Sequence, residues 1–294
     1  MAGCGGDGPA GSGIQVVATT PQVADLARNV VGDRGTVTQI LPANADPHDY
    51  EPKPSDAEAL LDADLIVRSG GDVDEWMDQI VESSGSDAPV ISLIDDVPTI
   101  ETDGETDPHW WQDPHNAIIA VGAIRDRLAE IDPGNASDFR ASARSYAARL
   151  RRLDRSIAGC MDRIPAADRK LVTSHDALGY YAARYGIDVI GAAIPALSTQ
   201  AQASAGETAD LVELIRRTDV GTIYPEAGVS SQLEEAIADE AGAKVGGELW
   251  ADTLGPEGSA SATYIGAMQS NTNELAGGFS DGSVRCNWGT GPEG

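Results

Sequence analysis

The chain has little positive charge to set against its acidic residues. Its 294 residues include 20 lysines and arginines against 47 aspartates and glutamates, which gives a formal net charge of −27. A surface with this balance repels phosphate backbones and anionic lipid, so the composition argues against nucleic acid as a partner. Only three of the 20 cationic residues are lysines. We expect a halophilic surface, because the Debye length is about 3 Å at 1 M salt and self-repulsion is then screened.

Cysteines and long apolar runs are also scarce. The three cysteines, Cys4, Cys160 and Cys286, are too few and too scattered for a disulfide framework or a zinc ribbon, and their redox state is left open. No run approaches the roughly 18 consecutive apolar residues of a membrane span. Hydrophobic residues nevertheless make up 41% of the chain. This is enough to form the cores of two domains of ordinary size.

The first 13 residues are rich in glycine and contain Cys4. Small residues precede this cysteine, as they do at the end of a lipoprotein signal, although the charged and apolar parts of a signal peptide are missing. We expect residues 1–13 to be a lipoprotein-like tether that holds the chain on the membrane through lipid at Cys4. The alternative is an ordinary disordered amino terminus.

Strands and helices alternate along most of the remaining sequence. The β-branched run Ile14–Ala18 predicts a strand, and Pro21 opens a helix with one apolar face that Gly32 ends. The same alternation returns several times in each half of the chain. It predicts parallel sheets with helices on both faces, which is an α/β fold.

A long amphipathic helix is predicted between the two α/β halves. Its apolar residues recur in steps of three and four, as on one face of a helix: Phe139, Ala143, Tyr146, Leu150, Leu153 and Ile157. About 26 helical residues would extend roughly 39 Å, which suits a rigid strut. We therefore predict two lobes, each a mostly parallel sheet flanked by helices, joined by one long rigid linking helix. The predicted segments are an amino-terminal lobe (14–134), the linking helix (135–164), a carboxy-terminal lobe (165–280) and a loose tail (281–294).

The chain has only four histidines, and three of them follow predicted strands or the loops beyond them. His48 and His109 each follow an Asp-Pro pair, and His175 lies at the end of a strand. Proline fixes the backbone, so each Asp-Pro-His loop presents its imidazole from a stiff support. A metal site needs such preorganisation, because neutral imidazoles must converge on one ion.

These motifs and several others occur together in one order. They are Thr19-Thr20-Pro21 with Asp25-Leu26-Ala27, the segment Asp46 to Asp56, the segment Asp107 to Pro114, Thr173-Ser174-His175-Asp176-Ala177, and Asp252-Thr253-Leu254-Gly255. In this respect the chain resembles the solute-binding proteins of zinc and manganese ABC transporters (cluster A-I, the metal-binding lipoproteins). The resemblance extends from about Ile14 to Phe279.

The resemblance implies a binding protein that captures a metal ion in the cleft between two lobes and performs no catalysis. The implied ligands are His48, His109, His175 and Asp252. The implied partners are a permease and its ATPase, and the implied location is extracytoplasmic, on the outer face of the cell membrane, as a monomer. Three imidazoles and one carboxylate suit Zn²⁺ as the transported ion. Mn²⁺ is the alternative, because the segment Glu101 to Thr106 lacks the histidine-rich loop of many zinc-selective members.

Four further residues near these motifs have open roles. His115 fits no ligand position, and we interpret it as a capping or surface histidine. Glu226, at a strand end, is either an acceptor for an imidazole N–H or an exposed glutamate. Asp46 and Asp107 either support the imidazoles or cap their turns.

Two other functions compete with metal transport. A zinc metallohydrolase needs an open coordination position and a nearby acid or base, but four protein ligands would close the site. No His-Glu-x-x-His motif is present, and Glu226 is the one candidate base. A binding protein for a metal chelate could share the architecture, but it would not need converging histidines.

Overall fold

The structure, a computed structural model, describes residues 13–102 and 104–289. The tether predicted for residues 1–13, with Cys4, lies outside the described residues except for Gly13. The described chain forms two α/β lobes and a long helix that contacts both, which confirms the predicted fold class. None of its helices is long and apolar enough to cross a membrane.

The amino-terminal lobe is built on a four-stranded sheet whose strands are all parallel, in the order β2-β1-β3-β4. A two-stranded antiparallel ribbon, β5 and β6, precedes the last helix of the lobe. The elements are β1 (Ile14–Ala18), α1 (Pro21–Val31), β2 (Gly35–Gln39), α2 (Pro54–Leu60), β3 (Leu65–Arg68), α3 (Trp76–Ser84), β4 (Val90–Ser92), β5 (Glu101–Thr102), β6 (Glu105–Thr106) and α4 (Pro114–Ile131).

The linking helix, α5 (Ala136–Met161), packs on both lobes. All six residues of its predicted apolar face are buried. It contacts α1 and α4 of the first lobe, and α6 and α9 of the second. The buried Asp25 carboxylate of α1 joins three helices, because Oδ2 accepts the Tyr146 hydroxyl at 2.9 Å and the Tyr264 backbone N–H at 3.2 Å. The helix is therefore fastened to both lobes.

The carboxy-terminal lobe contains two parallel strand pairs, β7 with β8 and β9 with β10. A parallel bridge between Thr173 and Tyr224 places the second pair beside the first. The elements are β7 (Lys170–His175), α6 (Gly179–Tyr185), β8 (Asp188–Ile194), α7 (Ala205–Thr218), β9 (Thr222–Ile223), α8 (Gln232–Ala241), β10 (Lys244–Val245) and α9 (Tyr264–Phe279).

Of the predicted tail (281–294), residues 281–289 are described and contain no helix or strand, and residues 290–294 lie outside the described residues. Cys286 forms a disulfide with Cys160 near the end of α5. Val284 and Trp288 pack against the main core, and Arg163 donates to the Arg285 carbonyl at 2.8 Å. The disulfide closes a loop that contains the whole carboxy-terminal lobe.

We expect the double variant Cys160→Ser/Cys286→Ser to lose about 2–5 kcal/mol of unfolding free energy, measured by urea titration. The disulfide spans 126 residues, and a crosslink over a loop this long restricts the unfolded chain strongly. Cys4→Ser is the matched control, because Cys4 takes no part in the bond. A double variant as stable as the wild type would show that packing alone holds the tail.

Candidate metal centre

Four side chains from separate parts of the chain converge between the lobes. They are the four predicted ligands, His48, His109, His175 and Asp252, and their potential ligand atoms all lie within 4.8 Å of one another. The imidazole centroids are 5.3–5.7 Å apart. The structure therefore places every predicted ligand in one cluster.

Each lobe contributes two of these side chains. His48 lies in the loop that follows β2, and His109 lies between β6 and α4. His175 is the last residue of β7, and Asp252 lies in the loop between β10 and α9. Parallel strands bring the loops after their carboxyl ends to the same edge of a sheet, which is where open α/β sheets bind ligands.

The Asp252 carboxylate occupies the centre of the cluster. Its Oδ2 lies 3.2 Å from Nε2 of His48 and 3.1 Å from Nε2 of His175. Its Oδ1 lies 3.5 Å from Nε2 of His109. The three imidazoles thus direct the same ring nitrogen at one carboxylate.

The cluster is buried, and its central atoms face only one another. The side chains of the four residues are at most 3% exposed. The three Nε2 atoms and the two Asp252 oxygens have no well-aligned hydrogen-bond partner within the described chain, and their nearest polar neighbours are one another. Buried polar atoms are rarely left without partners, so five of them aimed at one point indicate that they bind a ligand there.

Asp107 supports His109 and also shapes its turn. Its Oδ1 accepts the backbone N–H of His109 at 2.9 Å and lies 2.8 Å from Nδ1 of the ring. Tyr180 of the opposite lobe donates to the Asp107 carbonyl at 2.8 Å. Both roles considered for Asp107 therefore apply, and they leave Nε2 of His109 facing the cluster.

Asp46 caps the turn of its histidine and accepts no hydrogen bond from the His48 ring. Its Oδ1 accepts the backbone N–H of His48 at 2.9 Å. Its Oδ2 accepts the Thr199 hydroxyl, from the loop after β8, at 2.6 Å. Gln200 of the same loop donates to the His48 carbonyl. This loop therefore holds the His48 turn from the other lobe.

Glu226 is a buried partner of His175 rather than an exposed glutamate. Its Oε2 lies 2.7 Å from Nδ1 of His175. The backbone N–H of Glu226 donates to Oγ of Ser174 at 3.0 Å, which fixes it against the end of β7. A carboxylate in this position orients the ring and makes Nε2 a better metal ligand.

The carboxylates change the proton affinity of the imidazoles. Burial lowers the pKa of His175, but Glu226 and Asp252 outweigh it and raise that pKa well above its ordinary value. Burial likewise lowers the pKa of His48, and Asp252 again raises it overall. Burial raises the pKa of Asp252, but His109 and His175 more than offset this and hold it well below its usual range. The cluster thus favours a charged Asp252, and it raises the proton affinity of His48 and His175.

Contacts across the cleft close the lobes around the cluster. The carbonyl of Ala251 accepts the indole N–H of Trp111 at 2.8 Å and the amide of Gln112 at 2.7 Å. Tyr264 donates to the Trp111 carbonyl at 2.6 Å. Sequence reasoning did not assign these contacts, although Trp111 and Gln112 lie in the motif that contains His109.

His115 lies outside the cluster, in agreement with its interpretation as a capping or surface residue. It is the second residue of α4 and is exposed. Its backbone N–H donates to Oδ1 of Asp113 at 2.7 Å. Its position makes it a natural control for the other three histidines.

The fold and the site together define a class of protein. Two α/β lobes are bridged by a continuous helix, and metal-ligating residue types from both lobes meet in the cleft. This is the architecture of a solute-binding protein. The family model described as "Zinc-uptake complex component A periplasmic" matches residues 16–278, and the chain belongs to this family.

Similar proteins are named for several metals. The chain is 34% identical over 286 residues to the manganese-binding lipoprotein MntA of Halalkalibacterium halodurans, covering 95% of this chain and 94% of the relative. It is 32% identical to the iron-binding protein YfeA of Yersinia pestis, covering 90% and 86%. The solved periplasmic zinc-binding protein TroA of Treponema pallidum superposes with a TM-score of 0.85 at 27% identity, covering 92% of this chain and 99% of that one.

Proposed function

We propose that the chain captures Zn²⁺ outside the cytoplasm and delivers it to the permease of an ABC transporter. The ATPase of that transporter drives transport through the permease. His48, His109, His175 and Asp252 hold the ion. The observation that carries this proposal is the convergence of three Nε2 atoms and two carboxylate oxygens, buried together and facing only one another. Membership of the zinc-uptake family supports it.

The spacing of the ligand atoms fits zinc. A tetrahedral shell with metal–ligand distances of 2.0–2.2 Å has ligand atoms about 3.3–3.6 Å apart. The separations between Asp252 and the three Nε2 atoms are 3.1, 3.2 and 3.5 Å. The distances from Asp252 are thus close to those in a zinc shell, and all of the ligand atoms lie within 4.8 Å of one another.

Mn²⁺ is the second candidate for a specific structural reason. Both oxygens of Asp252 face the cluster, so the carboxylate can supply two oxygen ligands and raise the coordination number above four. Manganese accepts more oxygen ligands than zinc does. Two of the relatives found are named manganese-binding lipoproteins, from Halalkalibacterium halodurans and Bacillus subtilis.

The choice between the metals is tested by their competition. Protein purified without added metal is analysed for metal content, then titrated with equal concentrations of Zn²⁺ and Mn²⁺. Zinc should remain bound, since nitrogen-rich sites favour it over manganese. Retention of manganese against an equal concentration of zinc would overturn the zinc assignment. Protein that binds neither metal would overturn the proposed function itself.

The proposed location has two kinds of support. Disulfides persist in oxidising compartments, and Cys160 and Cys286 are bonded. Several relatives are named lipoproteins. We infer that lipid at Cys4 anchors a monomer to the outer face of the membrane, with residues 5–13 as its tether.

Metal release in this proposal requires a small tilt of one lobe. The continuous α5 is packed on both lobes, and such a helix resists wide hinge closure. A tilt needs only to separate the two contributing halves of the cluster. The bonds from Thr199 to Asp46 and from Trp111 to Ala251 would break in that motion.

The alternatives of a metallohydrolase and a chelate-binding protein are not favoured. Either needs room for a substrate beside the metal ligands. The side chains of the four ligand residues are at most 3% exposed, so a substrate has no access to them while the lobes are in this arrangement. The family to which the chain belongs consists of solute-binding proteins.

We expect Glu226→Gln to lower Zn²⁺ affinity about 10–100-fold, measured by competition with a chromophoric chelator. Losing a carboxylate partner of a ligating imidazole has effects of this size, because the ring is less well oriented and less basic. Glu235→Gln, on the exposed start of α8, is the matched control. Equal affinity of the two variants would show that Glu226 does not support His175.

A further inference from the structure

The positive charge of the chain is concentrated on the linking helix. α5 carries six arginines and two aspartates, a net charge of +4 within a chain of net charge −27. All six arginines are exposed, whereas neither aspartate is fully exposed. The net charge of the chain therefore does not describe this surface.

Four of these arginines lie in one row. Arg140, Arg144, Arg151 and Arg155 are separated by four, seven and four residues, so they fall within about 60° of one another around the helix axis. They point away from the buried face that carries Phe139 and Leu150. We call this row, about 22 Å long at 1.5 Å per residue, the arginine stripe.

The guanidinium groups of the stripe are largely unpaired. Arg144, Arg151 and Arg155 form no hydrogen bond or ion pair with any residue that the structure describes, and the same holds for neighbouring Arg152. Arg140 acts electrostatically on Asp126 of α4. The chain has more than twice as many acidic as basic residues, so acidic partners for these arginines are abundant. These groups instead remain available for an external anion.

The stripe begins beside the root of the amino-terminal segment. A side chain at Gly13 would collide with the carbonyl of Arg34, so the two backbones are in contact. The Arg34 side chain forms a 2.8 Å ion pair with Asp138 in the first turn of α5. The nine residues after Cys4 (5–13) reach at most about 32 Å when fully extended. An anchor at Cys4 would therefore hold the stripe close to the membrane surface.

We propose that the arginine stripe docks the protein on the phosphate headgroups of an anionic membrane. Guanidinium groups pair with phosphate oxygens in a bidentate geometry. A tether makes this contact intramolecular, so even weak binding is populated. The same membrane repels the acidic remainder of the surface, and this repulsion orients the molecule with the stripe toward the membrane. The proposal does not depend on which metal the cleft binds.

Docking in this manner would orient the metal site. Gly13 precedes the amino end of β1, whereas His48 and the rest of the cluster lie beyond the carboxyl ends of the parallel strands. The tether root and the metal site are thus at opposite ends of the sheet. A docked molecule would expose its cleft to the solution from which it captures metal.

The test uses the full chain coupled through Cys4 to a maleimide lipid. Cys160 and Cys286 are bonded to each other, so Cys4 is the one free thiol. Vesicles of phosphatidylglycerol are compared with vesicles of phosphatidylcholine, and exposed arginines are modified by phenylglyoxal and quantified by mass spectrometry. Arg217 on α7, which is also exposed and unpaired within the described chain, serves as the internal control.

Modification of the stripe should be at least about fivefold slower on phosphatidylglycerol than on phosphatidylcholine. Each arginine close to an anionic surface strengthens binding by about 1 kcal/mol, which is about a fivefold increase in the bound population. Arg217 should react equally on both. Addition of 2 M KCl should reduce the difference without abolishing it, because screening then acts over about 3 Å and paired guanidinium and phosphate groups lie within that distance. The variant Arg144→Glu/Arg151→Glu should restore full modification of Arg140 and Arg155 on phosphatidylglycerol.

Three results would overturn the proposal. The first is equal reactivity of the stripe on both vesicles. The second is equal protection of Arg217. The third is protection that occurs on phosphatidylcholine and grows with protein density, which would assign the stripe to an acidic protein surface such as a second copy of the chain.

Discussion

Replacing His175 with alanine is expected to lower the affinity for Zn²⁺ by more than about 100-fold. Loss of a residue that merely supports a metal-bound histidine costs about 10–100-fold, and loss of the ligand itself should exceed this. Nε2 of His175 lies 3.1 Å from Asp252 in the centre of the cluster, and the structure describes no other imidazole that could replace it. His48→Ala and His109→Ala are expected to have comparable effects. The measurement is competition with a chelator of known affinity.

The control for this experiment is the fourth histidine. His115→Ala removes the same side chain from the exposed start of α4 and should leave zinc affinity unchanged. Thermal unfolding of the metal-free variants separates a lost ligand from a lost fold. A folded His175→Ala variant with wild-type affinity, or an equal loss for His115→Ala, would contradict the assigned ligands.

The elements that sequence predicted best are those with a strong local pattern. The apolar face of α5 was readable because its spacing matches a helix over more than five turns, and its residues are buried. α4 has a weaker local pattern, and no helix is predicted there from the sequence. Its isoleucines at positions 118 and 119 are only partly buried and spread the apolar residues around the helix, so one face is less distinct. Periodicity alone therefore could not outline it.

Residues whose role depends on tertiary contact could not be assigned from sequence. The role of Glu226 could not be decided from the sequence, because its contact with His175 requires β7 and the chain after β9 to lie side by side. The bond between Cys160 and Cys286 depends on where the tail returns after 126 residues. The Asp-Pro-His loops, by contrast, carry their own rigidity, and His48 and His109 lie where the motifs predicted. Local stiffness is visible in a sequence, whereas strand pairing is not.

The metal affinity is also expected to fall at least about 1000-fold between pH 8 and pH 5. Metal binds only neutral imidazoles, so a protonated ring must release its proton before the metal can bind. For each such ring, the affinity falls up to tenfold for every unit by which the pH is lowered. Two imidazoles at the ordinary value of about 6.5 would together produce this loss. The pKa values of His48 and His175 are raised by Asp252 and Glu226, so the loss begins above pH 6.5 and is larger. Equal affinity at pH 5 and pH 8, measured by chelator competition, would contradict a histidine-rich site.

The same shifts predict opposite stability changes for metal-free and metal-loaded protein. Folding raises the pKa of such a histidine above its value of about 6.5 in the unfolded chain, so protonation stabilises the metal-free fold. This stabilisation is complete below pH 6.5 and is lost as the pH rises through the pKa of the folded state. Bound metal stabilises the fold by an amount that grows with the logarithm of its affinity, and that affinity decreases as the pH is lowered. Lowering the pH from 8 to 6.5 should therefore raise the melting temperature of metal-free protein and lower that of metal-loaded protein. Glu226→Gln removes one of the charges that raise the His175 pKa and should weaken the metal-free rise. Parallel melting curves for the two forms would show that protons and metal do not compete for these imidazoles.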